Sequence, residues 1–390
     1  VAWKAAVPGL GHSSPIVWGN WVFLTTAIAG EVVPGARAVK HVLDGEEFVH
    51  PESLGADRSH KLEVLCYDLE GGKLLWESAV HEGPVHDARH RKSSFASPTP
   101  VTDGVRVYSY FGAEGIACHD FAGQLVWRAS LGKIATLGMG AGSSPILHGD
   151  LLILQCDEDN GERSFITALD KATGKEAWRT ARQVQVTWST PVVAAAANRA
   201  ELVATGPELL CGYDPGTGKE LWRAAGLESN AIHTPLVGHG LVFASAGYPK
   251  KRVIALRPGE LPDGAPAEAR VAWRYDRGTG YVVSPILHGD FIYLVSDQGI
   301  MTCLEPKTGA VRYDGARLPA PAKFTASPVA FEDRILLVSE EGDAFVVRAG
   351  PRHEVLATST LGEKVFASPA LSRGRILLRT ESNLYCVRKA

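Results

Sequence analysis

The stretch SPILHGDLLILQCDEDNGERSFITALDKATGKEAW, residues 144–178, decides the fold. Its opening Ser-Pro pair starts a strand, because proline fixes its own φ and biases the residue before it toward extended backbone. A short apolar run then meets the turn His148-Gly149-Asp150, and LLILQCD follows as a second strand. SFITALD reads as a third strand, and the tight turn after it leads into a fourth that carries Trp178. At these reversals Asp supplies a side-chain acceptor and Gly the positive φ that short turns require. Four strands this closely spaced leave no room for a helix longer than a turn or two.

The same grammar extends along the whole chain. A Ser/Thr-Pro pair recurs at Ser14-Pro15, Ser97-Pro98, Ser144-Pro145, Thr190-Pro191, Thr234-Pro235, Ser284-Pro285, Ser327-Pro328 and Ser368-Pro369. The prolines are 41–50 residues apart except for a first step of 83, which places an insertion from about Ala27 to Lys61 between the second and third strands of the first unit. Four-stranded units at this period are blades of a β-propeller. The expected fold is therefore all-β, a single eight-bladed propeller of antiparallel blades spanning residues 1–390. The last unit ends after its third strand, NLYCVRKA, while the opening VAWKAAV carries Trp3 of an orphan fourth strand. The N-terminal strand is expected to pair beside Leu384–Arg388, complete the eighth blade and close the ring. Trp76, Trp127, Trp178, Trp222 and Trp273 hold the position of Trp3 in other blades, with Tyr313 as a substitute, and read as packing between blades.

Composition limits the function. The chain has 390 residues, 45% hydrophobic and 21% charged, with 41 Gly and 23 Pro dispersed without a period, which excludes both a disordered and a collagenous chain. A formal net charge of −3 supplies no general field for nucleic acid, and no apolar run approaches the length of a membrane span. Neither a nucleic-acid partner nor a transmembrane segment is expected. Cys66, Cys118, Cys303 and Cys386 occupy one position of the repeat, where Ala168 and Ala255 also occur, so the site calls for a small apolar side chain.

Strand alternation sorts the loops. The turns joining first to second and third to fourth strands lie on one face, and the remaining loops on the other. That second face collects the insertion with His41, His50 and His60, the loop with His81, His86 and His90, and also His12 and His233. Residues just before each Ser/Thr-Pro pair are expected at the mouth of the central channel, which brings Trp188 there, with Tyr281 and Lys323 close by. Imidazoles, aromatics and the basic run Arg89-His90-Arg91-Lys92 suit a small molecule, an anionic saccharide or a protein ligand. His90, Arg91, Lys92, Trp188 and Lys323 are the expected ligand contacts. Asp157, Asp159 and Asn160 form an oxygen-rich loop that could hold calcium, and His86 with His90 could share a transition metal. GMGAG, residues 138–142, precedes nothing helical, so it is no phosphate cradle.

Ala168–Trp178 and Tyr213–Trp222 are close to the pattern A-x-D-x-x-T-G-x-x-x-W. In this the chain resembles the repeat of quinoprotein alcohol dehydrogenases and of the outer-membrane assembly propeller. The opening AWKAAVPGLGHSSPIVWGNWVFLTTA, with RKSSFASPTPVTDGVRVYSYFG and GSSPILHGDLLILQCDEDNG, is similar to exported PQQ-binding-like propellers abundant in planctomycetes. The resemblance implies export, with a periplasmic location. In the dehydrogenases it further implies a quinone over a vicinal disulfide, a Trp floor and a calcium ion; this sequence has no Cys-Cys pair, so no functional PQQ site is expected. The expected function is an exported ligand-binding or scaffold propeller acting at the channel mouth. The alternative is a lyase or hydrolase on an anionic saccharide, with His12, His233 and Tyr281 as acid–base groups.

Overall fold

The computed structural model describes residues 1–43, 45–262 and 264–388. Eight four-stranded antiparallel sheets form the framework, two two-stranded sheets lie in the loops, and the only helical segments among the described residues are two short 3-10 turns, Gly112–Glu114 and Ala267–Arg270. The fold is an eight-bladed β-propeller. In the third blade the strands are Ile146–His148, Leu151–Cys156, Phe165–Asp170 and Glu176–Ala181, as the quoted stretch predicts. The eighth combines both chain ends: Trp3–Ala6 pairs antiparallel with Asn383–Arg388, Trp3 opposite Cys386 and Ala6 opposite Asn383. The chain divides into two compact units. Unit 1 comprises Val1–Val186 and Pro369–Ala390, carrying blades 1, 2, 3 and 8; unit 2 is Thr187–Ser368, carrying blades 4 to 7.

The Ser/Thr-Pro pairs work as links between successive blades. Within unit 1 the backbone N–H of Ser14 donates to Thr99 Oγ1 at 3.0 Å, and that of Thr99 donates to Ser144 Oγ at 2.9 Å. Within unit 2 the chain of links runs from Thr234 N–H to Ser284 Oγ, from Ser284 N–H to Ser327 Oγ, and from Ser327 N–H to Ser368 Oγ. Each hydroxyl thus satisfies a main-chain donor of the preceding blade, and the proline behind it removes a donor of its own. This corrects the register of blade 2. Its first strand, Val101–Thr102, follows Thr99-Pro100 rather than Ser97-Pro98, and the Ser97 hydroxyl is used locally, donating to the Ser94 carbonyl at 2.9 Å.

The tryptophans and cysteines answer one another across strands. Cys66 lies opposite Trp76, Cys118 opposite Trp127, Ala168 opposite Trp178, Ala255 opposite Trp273, Cys303 opposite Tyr313 and Cys386 opposite Trp3. A small residue is needed because the aromatic ring lies over it; at Gly212, opposite Trp222, even a Cβ would collide with the indole. The indole then reaches the next blade: Trp3 Nε1–H donates to the Leu69 carbonyl, Trp76 to Phe121, Trp127 to Lys171 and Trp273 to Pro306. Gly123 shows why the receiving turn ends in glycine. Its φ is +85°, and a Cβ there would sit 2.7 Å from the Trp76 ring. All six cysteines are free and buried, and desolvation pushes the thiols of Cys66, Cys118, Cys156 and Cys303 up to about 12, so they are unreactive packing groups.

Core side chains fill the spaces between blades. One cluster combines Phe23, Leu62 and Val64 of blade 1 with Val107, Phe111 and Ala117 of blade 2; another combines Tyr108 and Ile116 of blade 2 with Leu152 and Leu154 of blade 3. Ser144→Ala should cost about 1 kcal/mol, because it leaves the Thr99 N–H without its acceptor, whereas Ser144→Thr should be neutral; denaturant unfolding of the two variants checks this. Deleting residues 1–7 strips the fourth strand from blade 8 and with it the Trp3 bond to Leu69. The midpoint of thermal unfolding should fall by several degrees.

Candidate functional site

The insertion begins as an extension of blade 1. Strands Trp21–Val32 and Arg58–Asp68 stay paired out to Val32 opposite Arg58, and the fourth strand, Leu74–Pro84, is drawn out beside them. The inserted loop proper is thus residues 33–57, shorter than the expected Ala27–Lys61, since the flanking residues extend the sheet. It folds into a hairpin of His41–Leu43 and Glu46–Phe48, and Ser53–Leu54 pairs with Arg89–His90.

His41 fastens this hairpin to the loops of blades 1, 2 and 3. Its side chain is buried, 5% exposed, with Nδ1 2.8 Å from Asp159 Oδ2 and Nε2 3.1 Å from Asp87 Oδ1. Asp87 Oδ2 also accepts from Thr136 N–H and Oγ1–H, and Asp159 Oδ1 accepts from Leu137 N–H. Burial works against the imidazolium, but the hydrogen bonds to Asp159 and Asp87 and their charges outweigh it and raise the His41 pKa to about 9. Burial likewise opposes the Asp87 carboxylate, and His41 with Thr136 holds its pKa below the usual range. A second buried pair lies in the same loop system, Arg182 Nε to Asp157 Oδ1 at 2.8 Å, with both side chains inaccessible.

Between the insertion and blade 2 lies a groove of about 800 Å³ lined by Arg37, His81, His86, Glu114, Arg128 and Lys133 among others. Arg37, Arg128 and Lys133 are exposed, and none of them forms an ion pair with a described residue. The lone carboxyl, Glu114, accepts the His86 N–H at 2.7 Å, and desolvation raises its pKa. The His86 pKa is lowered by desolvation and then by Lys133, Arg163 and His41, against Asp87. With a neutral imidazole and three cations, the groove carries net positive charge in a mildly acidic protein.

The expected site residues are dispersed. In unit 1, Arg91 Nε and His90 Nε2 both bind Glu52, at 2.7 Å each, so these two members of the basic run have a partner within the fold. Arg89 donates to the carbonyls of His90, Arg91 and Ser93, and Lys92 is exposed. Asp157 and Asp159 are engaged by Arg182 and His41, and Asn160 Oδ1 accepts the Glu162 N–H. His86 lines the groove while His90 sits on Glu52. Among the described residues, no group of three or more His, Cys, Asp or Glu is placed to hold a metal ion. His12 is held down to about 3 by burial and then by Arg379 and Arg89. The sequence does not single out Arg379, whose buried guanidinium donates to Ser13 Oγ at 2.8 Å and to the Thr25 carbonyl at 2.6 Å.

In unit 2, His233 is 1% exposed, its Nδ1 is 2.7 Å from Ser245 Oγ, and desolvation lowers its pKa to about 4. Trp188 is half-buried, its N–H bonded to the Ala231 carbonyl, and Lys323 is half-buried on the loop before blade 7. Tyr281 is 40% exposed. The six cysteines of the chain are free and lie singly on separate strands.

The His41 pairing has a pH signature. A folded-state pKa above the unfolded value of 6.5 stabilises the protein fully below about pH 6.5, and that contribution is lost as pH rises through about 9. The sign is the reverse for Asp87, whose stabilising share is lost in acid. Between pH 6 and 10 the parent should lose on the order of 2–3 kcal/mol that His41→Gln has already forfeited. Unfolding curves of both proteins at the two pH values measure the difference.

Comparison with known proteins returns the repeat and the fold. Residues 162–316, about two-fifths of the chain, match the family described as outer membrane protein assembly factor BamB. BamB from Moraxella catarrhalis superposes with a TM-score of 0.62 at 13% identity, over 93% of this chain and 98% of that one. Quinohemoprotein alcohol dehydrogenase from Comamonas testosteroni gives 0.58 at 13% identity, over 93% of this chain and 76% of the other. A computationally designed protein gives 0.59 at 13% identity, over 90% and 100%. No curated protein matches the sequence significantly. The Ser/Thr-Pro links, the Trp-to-small-residue pairs and the eight four-stranded sheets make this chain an eight-bladed β-propeller, in which residues 162–316 match the repeat of the BamB family.

Proposed function

We propose that this is an exported binding propeller, without a bound quinone, that holds an acidic, extended segment of a protein partner in the groove of unit 1. The observation that carries the reading is charge: Arg37, Arg128 and Lys133 line one concave surface, and no described carboxylate pairs with any of them. Several other basic side chains of unit 1 are matched by carboxylates, Arg91 by Glu52, Arg163 by Glu158 and Arg182 by Asp157. A groove that keeps its cations unmatched is complementary to an anionic ligand. Family likeness supports a protein partner, since the matching description is that of an assembly factor for outer membrane proteins.

Binding is favoured over catalysis by the state of the acid–base candidates. A general base must reach its substrate in a form that can take a proton; of the three candidates, His233 is enclosed and bonded to Ser245, burial lowers the His12 pKa to about 3, and Tyr281, though exposed, has its phenol pKa raised by desolvation.

The experiment is titration of the full chain with a fluorescein-labelled hexaglutamate peptide, followed by anisotropy at low and moderate salt. Binding should weaken as salt rises and fall roughly tenfold or more in the double variant Arg128→Glu, Lys133→Glu, while hexaglutamine should not bind. If the charge-reversed protein, folded by its melting curve, binds hexaglutamate like the parent, the groove is not the site.

A further inference from the structure

We propose that unit 2 carries a second site, a platform for a neutral pyranose chain built from Tyr248, Tyr281 and Asn230. It is independent of the charged groove in unit 1. The two tyrosines are exposed, Tyr248 by 57% and Tyr281 by 40%, and their rings meet edge to face with centroids 5.7 Å apart and an interplanar angle of 61°. They thus form a corner of two aromatic faces. Asn230 reaches in from a third loop, its Nδ2 donating to the Tyr281 phenol oxygen at 3.1 Å.

The corner is held rigidly, as a recognition site must be if binding is not to be spent on ordering it. The Asn230 N–H donates to the Tyr248 carbonyl, and Thr279 Oγ1–H donates to the Ala246 carbonyl at 2.9 Å, tying the three loops together. Gly247 packs so closely on Gly280 that a Cβ would collide with its carbonyl oxygen, and the Tyr281 N–H is fixed on Asp297 Oδ1 at 2.7 Å. Neither tyrosine belongs to the buried clusters of unit 2, and both stand among its exposed large side chains.

The chemistry selects the ligand. Tyrosine offers an apolar face with a polar edge. A pyranose whose substituents are all equatorial presents a flat surface of axial C–H groups that can stack on one ring, with hydroxyls around its rim. The Tyr281 phenol accepts from Asn230 and keeps its own O–H to donate, while Asn230 retains Oδ1 as an acceptor; together they can bind adjacent hydroxyls. Apart from Asp297, whose Oδ1 is taken by the Tyr281 N–H, the groups that form the corner are uncharged, so a neutral β-linked glucan is the class that it fits.

The test is saturation-transfer NMR and calorimetry of the full chain with cellohexaose. Transfer should be strongest to the axial C–H protons. Tyr248→Ala and Tyr281→Ala should each weaken binding about tenfold, Tyr281→Phe about threefold through the lost hydroxyl, and Tyr248→Phe hardly at all. The Arg128→Glu, Lys133→Glu variant should bind cellohexaose like the parent, which separates this site from the groove of unit 1. No transfer at millimolar sugar, or equal binding by folded Ala variants, overturns the proposal. Capture of a protein on the tyrosine corner in place of the sugar would do so too.

Discussion

The hydroxyl-to-amide link at the start of a blade, made by Thr99, Ser144, Ser284, Ser327 and Ser368, is the constraint on which much else depends. The first strand of a blade has a neighbour on one side only, so its main-chain donors face away from the sheet. Proline deletes one of them, and the hydroxyl next to it accepts another from the preceding blade, as Ser144 does for Thr99 and Ser368 does for Ser327. Such a bond fixes both the spacing of successive sheets and their register. Serine and threonine are the residues that can do this from a short side chain, which is why the pair varies between Ser-Pro and Thr-Pro and in nothing else.

Outward from that link the second constraint is the indole. A tryptophan on the fourth strand covers a cysteine, alanine or glycine on the third, and its N–H bonds the turn of the following blade. Blade 4 departs from this in an instructive way. Trp222 Nε1–H donates to Glu201 Oε2 within its own blade, Arg270 stacks on the ring with 4.3 Å from guanidinium to centroid, and the Gly259 N–H also binds Glu201. The longer connection of blade 5, residues 257–270, thus supplies from outside the contacts that a neighbouring turn supplies elsewhere.

The proposed sites lie where the repeat is broken. The loop of residues 33–57 has no core of its own; it is held by a buried imidazolium between two carboxylates and by a short strand pairing to Arg89–His90. A buried ion triad is costly to assemble and costly to break, so it specifies one position for the loop and thereby shapes the groove beside it. In unit 2 the equivalent departures are smaller, a pair of exposed tyrosines on loops tied together by main-chain bonds.

Much of this was legible in the chain. The period of the Ser/Thr-Pro pairs, the Asx-Gly turns and the split eighth blade determine an all-β propeller of eight four-stranded units, because each is a local requirement written in a few consecutive residues. The site was legible only as a region. Sequence distance hides the partners of its side chains: His41 finds Asp159, 118 residues on, and so becomes an anchor, while Glu52 pairs with His90 and Arg91 of the basic run. The double motif Ser97-Pro98-Thr99-Pro100 could be read in two registers, and only the position of Ser144 Oγ selects Thr99. Backbone periodicity is a property of neighbouring residues and can be read along the chain; whether a charge is paired, buried or presented depends on which distant loops the fold brings against it, and that was decided only in the tertiary structure.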